Sequence, residues 1–259
     1  MKKWVLNLIL IVAAIVFCFS AYQLYTIFHN YHESEKEYDR ITDENVTELS
    51  EAEGGFTVDF TKLQQENPDC IAWIRFDHLD ISYPVMKGTD NDYYLHRTFQ
   101  RTDNFAGSIF MDYMNKSNFG QRNTIVYGHN MKNGSMFGSL KNYRDQEVYK
   151  KSPYFWIYTP TRIYKYEIFS CAEVDKFGQD YQITFRDKED FQEFIYHAQD
   201  QSLYDTGVDV DYTDTVVTLS TCTGNEATRF IVQGKRVRTY QAVPKADGYE
   251  TEAGAESNS

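Results

Sequence analysis

Four cysteines and six histidines are the side chains of this sequence that could carry nucleophilic chemistry. A cysteine attacks as its thiolate. Because an unperturbed thiol has a pKa of about 8.5, it needs a neighbour that moves protons, most often a histidine. Cys222 is the candidate nucleophile, since it ends the strand-like run 216–222 and is followed by the turn-like Thr223-Gly224-Asn225. A strand that ends there places the thiol at the rim of a sheet.

His129 is the histidine best placed to serve such a thiol. It directly follows the buried-looking strand 123–127, and Gly128 permits the tight turn that presents a side chain at a strand end. The other histidines lie in a juxtamembrane segment (His29, His32), in polar loop-like stretches (His78, His96) and beside the apolar stripe of a helix (His197). Spacing alone also leaves open a buried structural cysteine and an unrelated surface histidine.

Arg229 is the third candidate for the same site. It follows Cys222 by seven residues and begins the strand-like run 229–237. Two strands joined by a short loop run antiparallel, so Cys222 and Arg229 should face each other at one rim. A guanidinium there could stabilise the oxyanion of a tetrahedral intermediate. The alternative is an ordinary exposed arginine at a strand end.

The remaining cysteines have a plainer interpretation. Cys18 lies in an apolar N-terminal run, whereas Cys70, Cys171 and Cys222 lie outside it. Because three is an odd number, an exported domain would keep at least one of these thiols free, or all of them. A free cysteine is often a small buried hydrophobe, and we interpret Cys70 and Cys171 in that way.

The elements that must position these residues are mostly strands. Short β-branched or aromatic runs bounded by turn residues predict strands at 71–76, 81–85, 123–127, 154–158, 162–169, 215–221 and 229–237. Most are joined by loops, which favours a closed or nearly closed mixed β-barrel over a helix-wrapped parallel sheet. Two helices are predicted, at 59–66 and at 187–201, the second with an apolar stripe that should pack on the barrel.

The N-terminus predicts a membrane anchor. Lys2 and Lys3 precede a charge-free, mostly apolar run that reaches about Phe28, and about 20 apolar residues span a bilayer. Positive charge before the run predicts a cytoplasmic N-terminus and an extracellular remainder. Residues 1–28 are therefore interpreted as an uncleaved single-pass anchor in the cell membrane. A cleaved signal peptide is the alternative, although the run continues past the small residues near Ser20.

Charge divides the rest of the chain, whose formal net charge is −12. Residues 29–53 hold nine acidic and two basic side chains without Pro or Gly, which predicts a solvated helix or acidic stalk. Residues 54–242 are nearly balanced in charge and form the expected catalytic domain. Residues 243–259 are small, polar and acidic, which predicts a disordered tail. The sequence has no basic patch that would indicate a nucleic-acid partner.

Three motifs together resemble one enzyme family. Thr218-Leu219-Ser220-Thr221-Cys222 resembles the TLxTC signature of sortases in the serine form typical of class B. Tyr127-Gly128-His129-Asn130-Met131 resembles the class B histidine motif, and Arg229-Phe230-Ile231-Val232 resembles the strand of the sortase arginine. Further class B-like stretches occur in the family's order: Trp73-Ile74, Tyr83-Pro84-Val85, Asp90-Asn91, Tyr94-Leu95, Gly107-Ser108-Ile109-Phe110-Met111-Asp112 and Gly134-Ser135-Met136-Phe137. The resemblance covers about residues 56–240.

The resemblance implies a mainly β fold, a closed mixed β-barrel of about eight strands with N-terminal helices and one helix before the cysteine strand. It implies that Cys222 attacks a carbonyl in the C-terminal sorting motif of a secreted protein and that a thioacyl intermediate forms. An amine of a peptidoglycan precursor or of a pilin would then resolve that intermediate. His129 would carry the proton transfers, and Arg229 would face the oxyanion.

The same resemblance implies a substrate groove lined by Asn91, Leu95, Tyr127 and Ser220, and it implies no metal or other cofactor. The acidic segment 187–190 is interpreted as a helix start rather than a calcium site. Three functions compete with this one: a hydrolytic cysteine protease, an L,D-transpeptidase-like cross-linker of the cell wall, and a non-enzymatic adhesion or pilus subunit. The Ser-His-Gly-Cys style of motif of the second is absent, because Ser220-Thr221 precede Cys222. The sorting motif, the amine and the choice between wall anchoring and pilus assembly also stay open.

Overall fold

The computed structural model describes residues 3–48, 55–245 and 248–251. Within them the strands are β1 (Val46–Glu48), β2 (Phe56–Val58), β3 (Cys70–Phe76), β4 (Ser82–Met86), β5 (Ile109–Met111), β6 (Asn123–Tyr127), β7 (Tyr154–Tyr158), β8 (Arg162–Asp175), β9 (Val216–Cys222), β10 (Thr228–Lys245) and β11 (Gly248–Thr251). The helices are α1 (Lys3–Asn45), α2 (Phe60–Glu66), α3 (Gln146–Lys151) and α4 (Lys188–Asp200). Short 3-10 helices cover Leu140–Arg144 and Gln179–Tyr181.

Eight of these strands form one closed barrel. Their order around it is β10-β8-β7-β3-β4-β5-β6-β9, and the pairing of β9 with β10 closes the ring. The pairs β4–β5 and β6–β9 are parallel, whereas the other neighbours are antiparallel. The predicted closed mixed β-barrel of about eight strands is confirmed.

The parallel pair β6–β9 is buried on both faces, so its sequences are continuous β-branched and apolar runs rather than alternating ones. Its buried polar groups bind one another. Thr218 Oγ1 donates to Asn123 Oδ1 at 2.9 Å and accepts from Gln233 Nε2 at 3.2 Å. Because these residues lie on β6, β9 and β10, this short polar chain ties together the three strands that end at the candidate site.

Both predicted helices are present, and each begins at an aspartate cap. The Asp59 carboxylate accepts from Lys62 N at 3.0 Å at the start of α2. The Asp187 carboxylate accepts from Asp190 N at 2.8 Å at the start of α4, so the acidic segment 187–190 starts a helix as predicted. The buried stripe of α4 consists of Phe191, Phe194, Ile195 and Ala198.

Two strands are longer than the sequence predicts. The predicted strands 162–169 and 229–237 correspond to β8 and β10, which extend to Asp175 and Lys245. The two strands pair with each other along most of their length, from Thr228 opposite Asp175 to the start of β8. The backbone ladder therefore carries the strands through mixed polar and apolar residues such as those of 170–175, which a search for β-branched and aromatic runs does not register.

The second half of α1 differs from the solvated stalk expected for residues 29–53. The helix continues to Asn45, and its side chains at Ser34, Tyr38, Ile41 and Asn45 are buried. These positions recur at helical spacing and form one narrow stripe against the barrel. Because acidic residues dominate the other faces of the helix, the composition of this segment does not indicate a buried stripe. After α1, β1 pairs with β2, and residues 49–54 lie outside the described residues.

The predicted disordered tail 243–259 is described only in part. β10 continues to Lys245, and β11 returns antiparallel to it, with Val243 opposite Glu250. Backbone pairing needs no apolar side chains, which is why a polar and acidic composition did not predict this hairpin. Residues 246–247 and 252–259 lie outside the described residues.

Candidate active site

The ends of three adjacent strands bring the three predicted catalytic residues together. β9 lies between β6 and β10. In the antiparallel pair β9–β10, Cys222 lies directly opposite Arg229, as the sequence predicts. In the parallel pair β6–β9, Tyr127 lies opposite Ser220, so His129 and Cys222, each two residues further on, lie at the same level along the strand direction. Because neighbouring strands are about 4.8 Å apart, His129 and Arg229 flank Cys222 on opposite sides.

The His129 ring is oriented by a backbone carbonyl. Its Nε2 lies 2.7 Å from the oxygen of Leu95. Because a carbonyl oxygen can only accept, Nε2 carries the hydrogen and Nδ1 is the nitrogen left for proton transfer. Burial lowers the pKa of His129 below its usual 6.5, and the hydrogen bond to Leu95 partly opposes that shift. The ring is therefore uncharged at neutral pH and held as one tautomer.

The loop after β6 is tied to the strand that carries Cys222. Gly128 N donates to Ser220 O at 3.1 Å, and Asn130 Nδ2 donates to the carbonyl oxygen of Cys222 itself at 2.7 Å. His129 lies between these two contacts. Its backbone is therefore fixed relative to the thiol-bearing residue from both sides.

Gly128 is required for a reason other than the predicted one. Its backbone is not left-handed, so the turn after β6 does not depend on the conformational freedom of glycine. A Cβ at this position would lie 2.4 Å from Ile109 Cδ1 and 2.7 Å from ring atoms of Phe137. The prediction of a turn-permitting glycine is wrong, because close packing of the core against the backbone excludes a larger residue.

Burial separates Cys222 from the other cysteines of the barrel. All four cysteines of the chain are free. Cys70 and Cys171 have no exposed surface, and burial raises the pKa of both thiols to about 12. Cys222 is partly exposed and lines a cleft. The interpretation of Cys70 and Cys171 as core residues is confirmed, and Cys222 is the barrel thiol that a substrate can reach.

Arg229 is held by the connection between β9 and β10. Its Nη1 donates to the carbonyl oxygens of Thr228 at 2.8 Å and Glu226 at 3.3 Å. The side chain is half-buried and lines the same cleft as Cys222. Within the described part of the chain, Nη1 makes the hydrogen bonds of this guanidinium, which leaves Nε and Nη2 for a group in the cleft.

The cleft has a volume of about 710 Å³, and it contains the predicted substrate residues. Asn91, Leu95, Tyr127 and Ser220 all line it, together with His129, Cys222 and Arg229. Asp112 supports two of them, because its Oδ2 accepts from Asn91 Nδ2 at 2.8 Å and from the Tyr127 hydroxyl at 3.0 Å. The polar groups on this side of the cleft are therefore oriented before a ligand arrives.

One wall of the cleft was not predicted from the sequence. Tyr181, between β8 and α4, stacks on Tyr127 with ring centroids 6.4 Å apart, and its hydroxyl lies 2.8 Å from Ser220 Oγ. Lys176 and Phe177 also line the cleft, and Phe177 is 85% exposed. Aromatic residues within the polar stretch 176–182 are the sequence signal that indicates this wall.

A buried aspartate and a partly exposed histidine lie side by side behind this wall. Asp180 is 2% exposed, and its Oδ2 lies 3.5 Å from His197 Nε2 on α4. Burial raises the pKa of Asp180, and the nearby His197 opposes that shift. This pair joins α4 to the segment that carries Tyr181. Among residues 3–48, 55–245 and 248–251, no group of three or more His, Cys, Asp or Glu side chains is arranged to hold a metal ion.

Comparison with known proteins gives one family. Residues 74–237 match the family model described as Sortase domain. The chain is 38% identical over 178 residues to Sortase B of Listeria monocytogenes, and that alignment covers 68% of this chain and 72% of the relative. It is 28% identical over 239 residues to Sortase B of Staphylococcus aureus, covering 90% of this chain and 96% of the relative.

Solved structures agree with the sequence relatives. The crystal structure of sortase B from Bacillus anthracis in complex with AAEK1 has a TM-score of 0.72 at 36% identity, and it covers 82% of this chain and 100% of that one. A Staphylococcus aureus sortase B–substrate complex has a TM-score of 0.66 at 30% identity, covering 69% of this chain and 84% of that one.

The closed mixed barrel, taken with the family match, makes this protein a cysteine transpeptidase of the sortase type. Its curated and structural relatives are sortase B proteins. The chain therefore belongs to the sortase family, within class B.

Proposed function

We propose that this sortase is anchored in the cell membrane and cleaves a C-terminal sorting motif of secreted proteins through a thioacyl intermediate on Cys222. It then transfers the cleaved protein to an amine of a peptidoglycan precursor or of a pilin. The observation that carries the proposal is the register of β6, β9 and β10. That register sets His129 and Arg229 on either side of Cys222 at the edge of one cleft.

The first half of the reaction forms the thioacyl enzyme. The sulfur of Cys222 attacks the carbonyl carbon of the scissile peptide bond, and the thiol proton passes to Nδ1 of His129. The carbonyl oxygen becomes an oxyanion, which Nε and Nη2 of Arg229 stabilise. The imidazolium of His129 then protonates the leaving amine as the C–N bond breaks, and the C-terminal fragment departs.

The second half transfers the acyl group. The incoming amine attacks the thioester carbonyl, and neutral His129 takes its proton through Nδ1. The oxyanion forms again at the same place, so Arg229 stabilises both tetrahedral intermediates. When the C–S bond breaks, the proton on His129 returns to the Cys222 sulfur. A new amide bond has formed, and the enzyme is restored.

The sorting motif occupies the groove lined by Asn91, Leu95, Tyr127 and Ser220. These residues share one cleft with Cys222, and Asp112 orients the amide of Asn91 and the hydroxyl of Tyr127. The occupant is supported by the Staphylococcus aureus neighbour, which is a sortase B–substrate complex. The groove therefore offers an apolar side chain, an amide and hydroxyl groups to an extended peptide.

The proposed membrane anchor is the N-terminal, apolar part of α1. By length and composition it is the one helix, among the residues that the structure describes, that could cross a membrane. None of its most apolar window is buried, whereas the same helix packs on the barrel around Tyr38 and Ile41. With Lys2 and Lys3 before the apolar segment, the N-terminus lies in the cytoplasm and the barrel lies outside. N-terminal sequencing of the membrane-bound protein tests this, and a mature start near Tyr22 would contradict it.

The function is tested with the full chain in detergent and a panel of fluorogenic sorting peptides, with and without candidate amines. We expect Cys222→Ala to abolish cleavage and transfer, and Cys70→Ala and Cys171→Ala to keep at least partial activity as matched thiol controls. Product release that rises with amine concentration indicates transfer rather than hydrolysis. Cleavage by Cys222→Ala at a rate comparable to the parent would refute the thioacyl mechanism.

A further inference from the structure

Two loops hold His129, and α1 contacts both of them. The first loop, residues 94–108, supplies the Leu95 carbonyl that binds Nε2. The second loop, residues 128–138, carries His129 itself. We propose that α1 is a positioning element for His129 and that Tyr38 is its central residue. The inference rests on the proposed role of His129 in proton transfer.

Tyr38 reaches the first loop from within the core. The side chain is 6% exposed, and its hydroxyl donates to Gly107 O at 2.8 Å and lies 3.1 Å from Ser108 Oγ. Gly107 has a φ of +57°, and a Cβ there would lie 2.5 Å from the oxygen of Leu95. The residue that Tyr38 binds therefore packs directly against the carbonyl that orients His129.

Further contacts fasten the first loop to α1. Asn104 Nδ2 donates to the backbone oxygen of Asn30 at 3.0 Å. Gln100 N donates to Glu37 Oε1 at 2.8 Å. These residues are more than 60 positions apart in the chain, so the loop's own sequence does not create the arrangement. The loop that presents Leu95 is therefore shaped against the helix.

The same face of α1 also contacts the second loop. The Tyr38 ring packs edge-on against the Tyr83 ring with centroids 5.5 Å apart, and the Tyr83 hydroxyl accepts from Met136 N at 3.2 Å. One helical turn earlier, Glu35 Oε1 accepts from Asn133 Nδ2 at 2.8 Å. Tyr38 thus lies where the supports of both loops meet.

The consequence for chemistry is geometric. Nδ1 of His129 is available for proton transfer only while Nε2 donates to Leu95 O, and proton transfer requires hydrogen-bond distances. Leu95 is the one cleft-lining residue of the first loop, whereas Asn91, Tyr127 and Ser220 lie outside that loop. Loosening the Leu95 carbonyl should therefore misplace the ring while most of the groove for the peptide stays in place. Such a defect lowers kcat and spares KM, whereas mere loss of stability changes neither constant for the protein that remains folded.

The test compares Tyr38→Phe with Tyr143→Phe in the full chain. Tyr143 is a matched control, because it is also buried and its hydroxyl donates to a backbone oxygen, that of Ser152, at 2.7 Å. It does not line the cleft. We expect both variants to melt at similar temperatures. Only Tyr38→Phe should lower kcat, by about threefold to tenfold, with KM for the sorting peptide unchanged, since small misplacements of a catalytic group are costly.

His129→Gln is assayed beside the two tyrosine variants. If His129→Gln keeps the kcat of the parent, the proposed role of His129 fails and the inference fails with it. If His129→Gln is inactive while Tyr38→Phe and Tyr143→Phe have equal kcat, the role of His129 stands and the positioning role of Tyr38 is refuted. A rise in KM at unchanged kcat would also refute it, because it would place the effect in the peptide groove.

Discussion

Substitution of Arg229 separates catalysis from folding. Its Nη1 binds the carbonyl oxygens of Thr228 and Glu226, and its side chain lies opposite Cys222 across the β9–β10 pair. Arg229→Ala removes all of these interactions. Arg229→Lys keeps the charge but loses the planar fork that can bind a carbonyl oxygen and an oxyanion together.

Loss of the Arg229 side chain should affect catalysis much more than the free energy of unfolding. A fixed donor to an oxyanion contributes about 2.7–4 kcal/mol to the transition state, or roughly 10²–10³ in rate. The two hydrogen bonds of Nη1 to backbone oxygens contribute about 0.5–1.5 kcal/mol each to the free energy of unfolding. A protein with a free energy of unfolding of about 5–15 kcal/mol remains almost entirely folded after such a loss. Unfolding at assay temperature therefore cannot account for a hundredfold loss of activity.

The assay measures kcat/KM with one good sorting peptide, and thermal melts are recorded on the same preparations. We expect Arg229→Ala to lose about 10²–10³ in kcat/KM. Arg229→Lys should lose most of the activity, but less than Arg229→Ala. Each kcal/mol of lost stability lowers Tm by about 2–4 °C in a domain of this size, so a loss of about 1–3 kcal/mol should lower Tm by about 2–12 °C.

Two results would contradict this reasoning. If activity falls in proportion to a large drop in Tm, Arg229 is a structural residue. If folded Arg229→Ala retains kcat/KM close to that of the parent, the oxyanion is stabilised by other groups. In both cases the role would pass to backbone N–H groups near Cys222.

Two further predictions concern the segment that carries the histidine. Burial lowers the pKa of His129 below 6.5, so as the pH falls the unfolded chain takes up a proton on this histidine at a higher pH than the folded chain does. The free energy of unfolding of the parent should therefore decrease as the pH falls below about 6.5. In urea unfolding, the free energy of unfolding of His129→Gln should decrease less than that of the parent between neutral pH and about pH 5. Equal decreases in the two proteins would show that another group is responsible. Gly128→Ala should lower both Tm and kcat, since a Cβ would collide with Ile109 and Phe137, and a parent-like melt would refute the packing argument.

The parts of the site that the sequence predicts are those joined over short distances in the chain. Cys222 and Arg229 end and begin two strands with a short connection, so antiparallel pairing alone places them opposite each other. The apolar stripe of α4 and the aspartate caps of α2 and α4 are likewise local patterns. In these cases one residue-level rule decides the structure.

The parts that the sequence does not predict depend on distant contacts. His129 and Cys222 line one cleft because β6 and β9 form a parallel pair, although these strands lie about 90 residues apart in the chain. The residue types of either strand do not show which strand it pairs with. The carbonyl of Leu95 binds His129 as backbone, so no side-chain type marks it. Spacing supported the Cys222–His129 pair only weakly for this reason, and motifs of a known family were needed to identify it.

Two of the three proposed catalytic side chains are held by backbone carbonyl oxygens of other residues. His129 donates to Leu95 O and Arg229 donates to Thr228 O, whereas Cys222 is held through its own carbonyl, which accepts from the Asn130 side chain. A carbonyl oxygen is supplied by every residue type, so the residues that present it are free to serve another purpose. Leu95 does so, since its carbonyl orients the histidine while the residue lines the substrate cleft. Substrate preference can therefore change through side chains of the groove while the geometry of the reacting groups is kept, provided that the loops carrying those carbonyls stay in place.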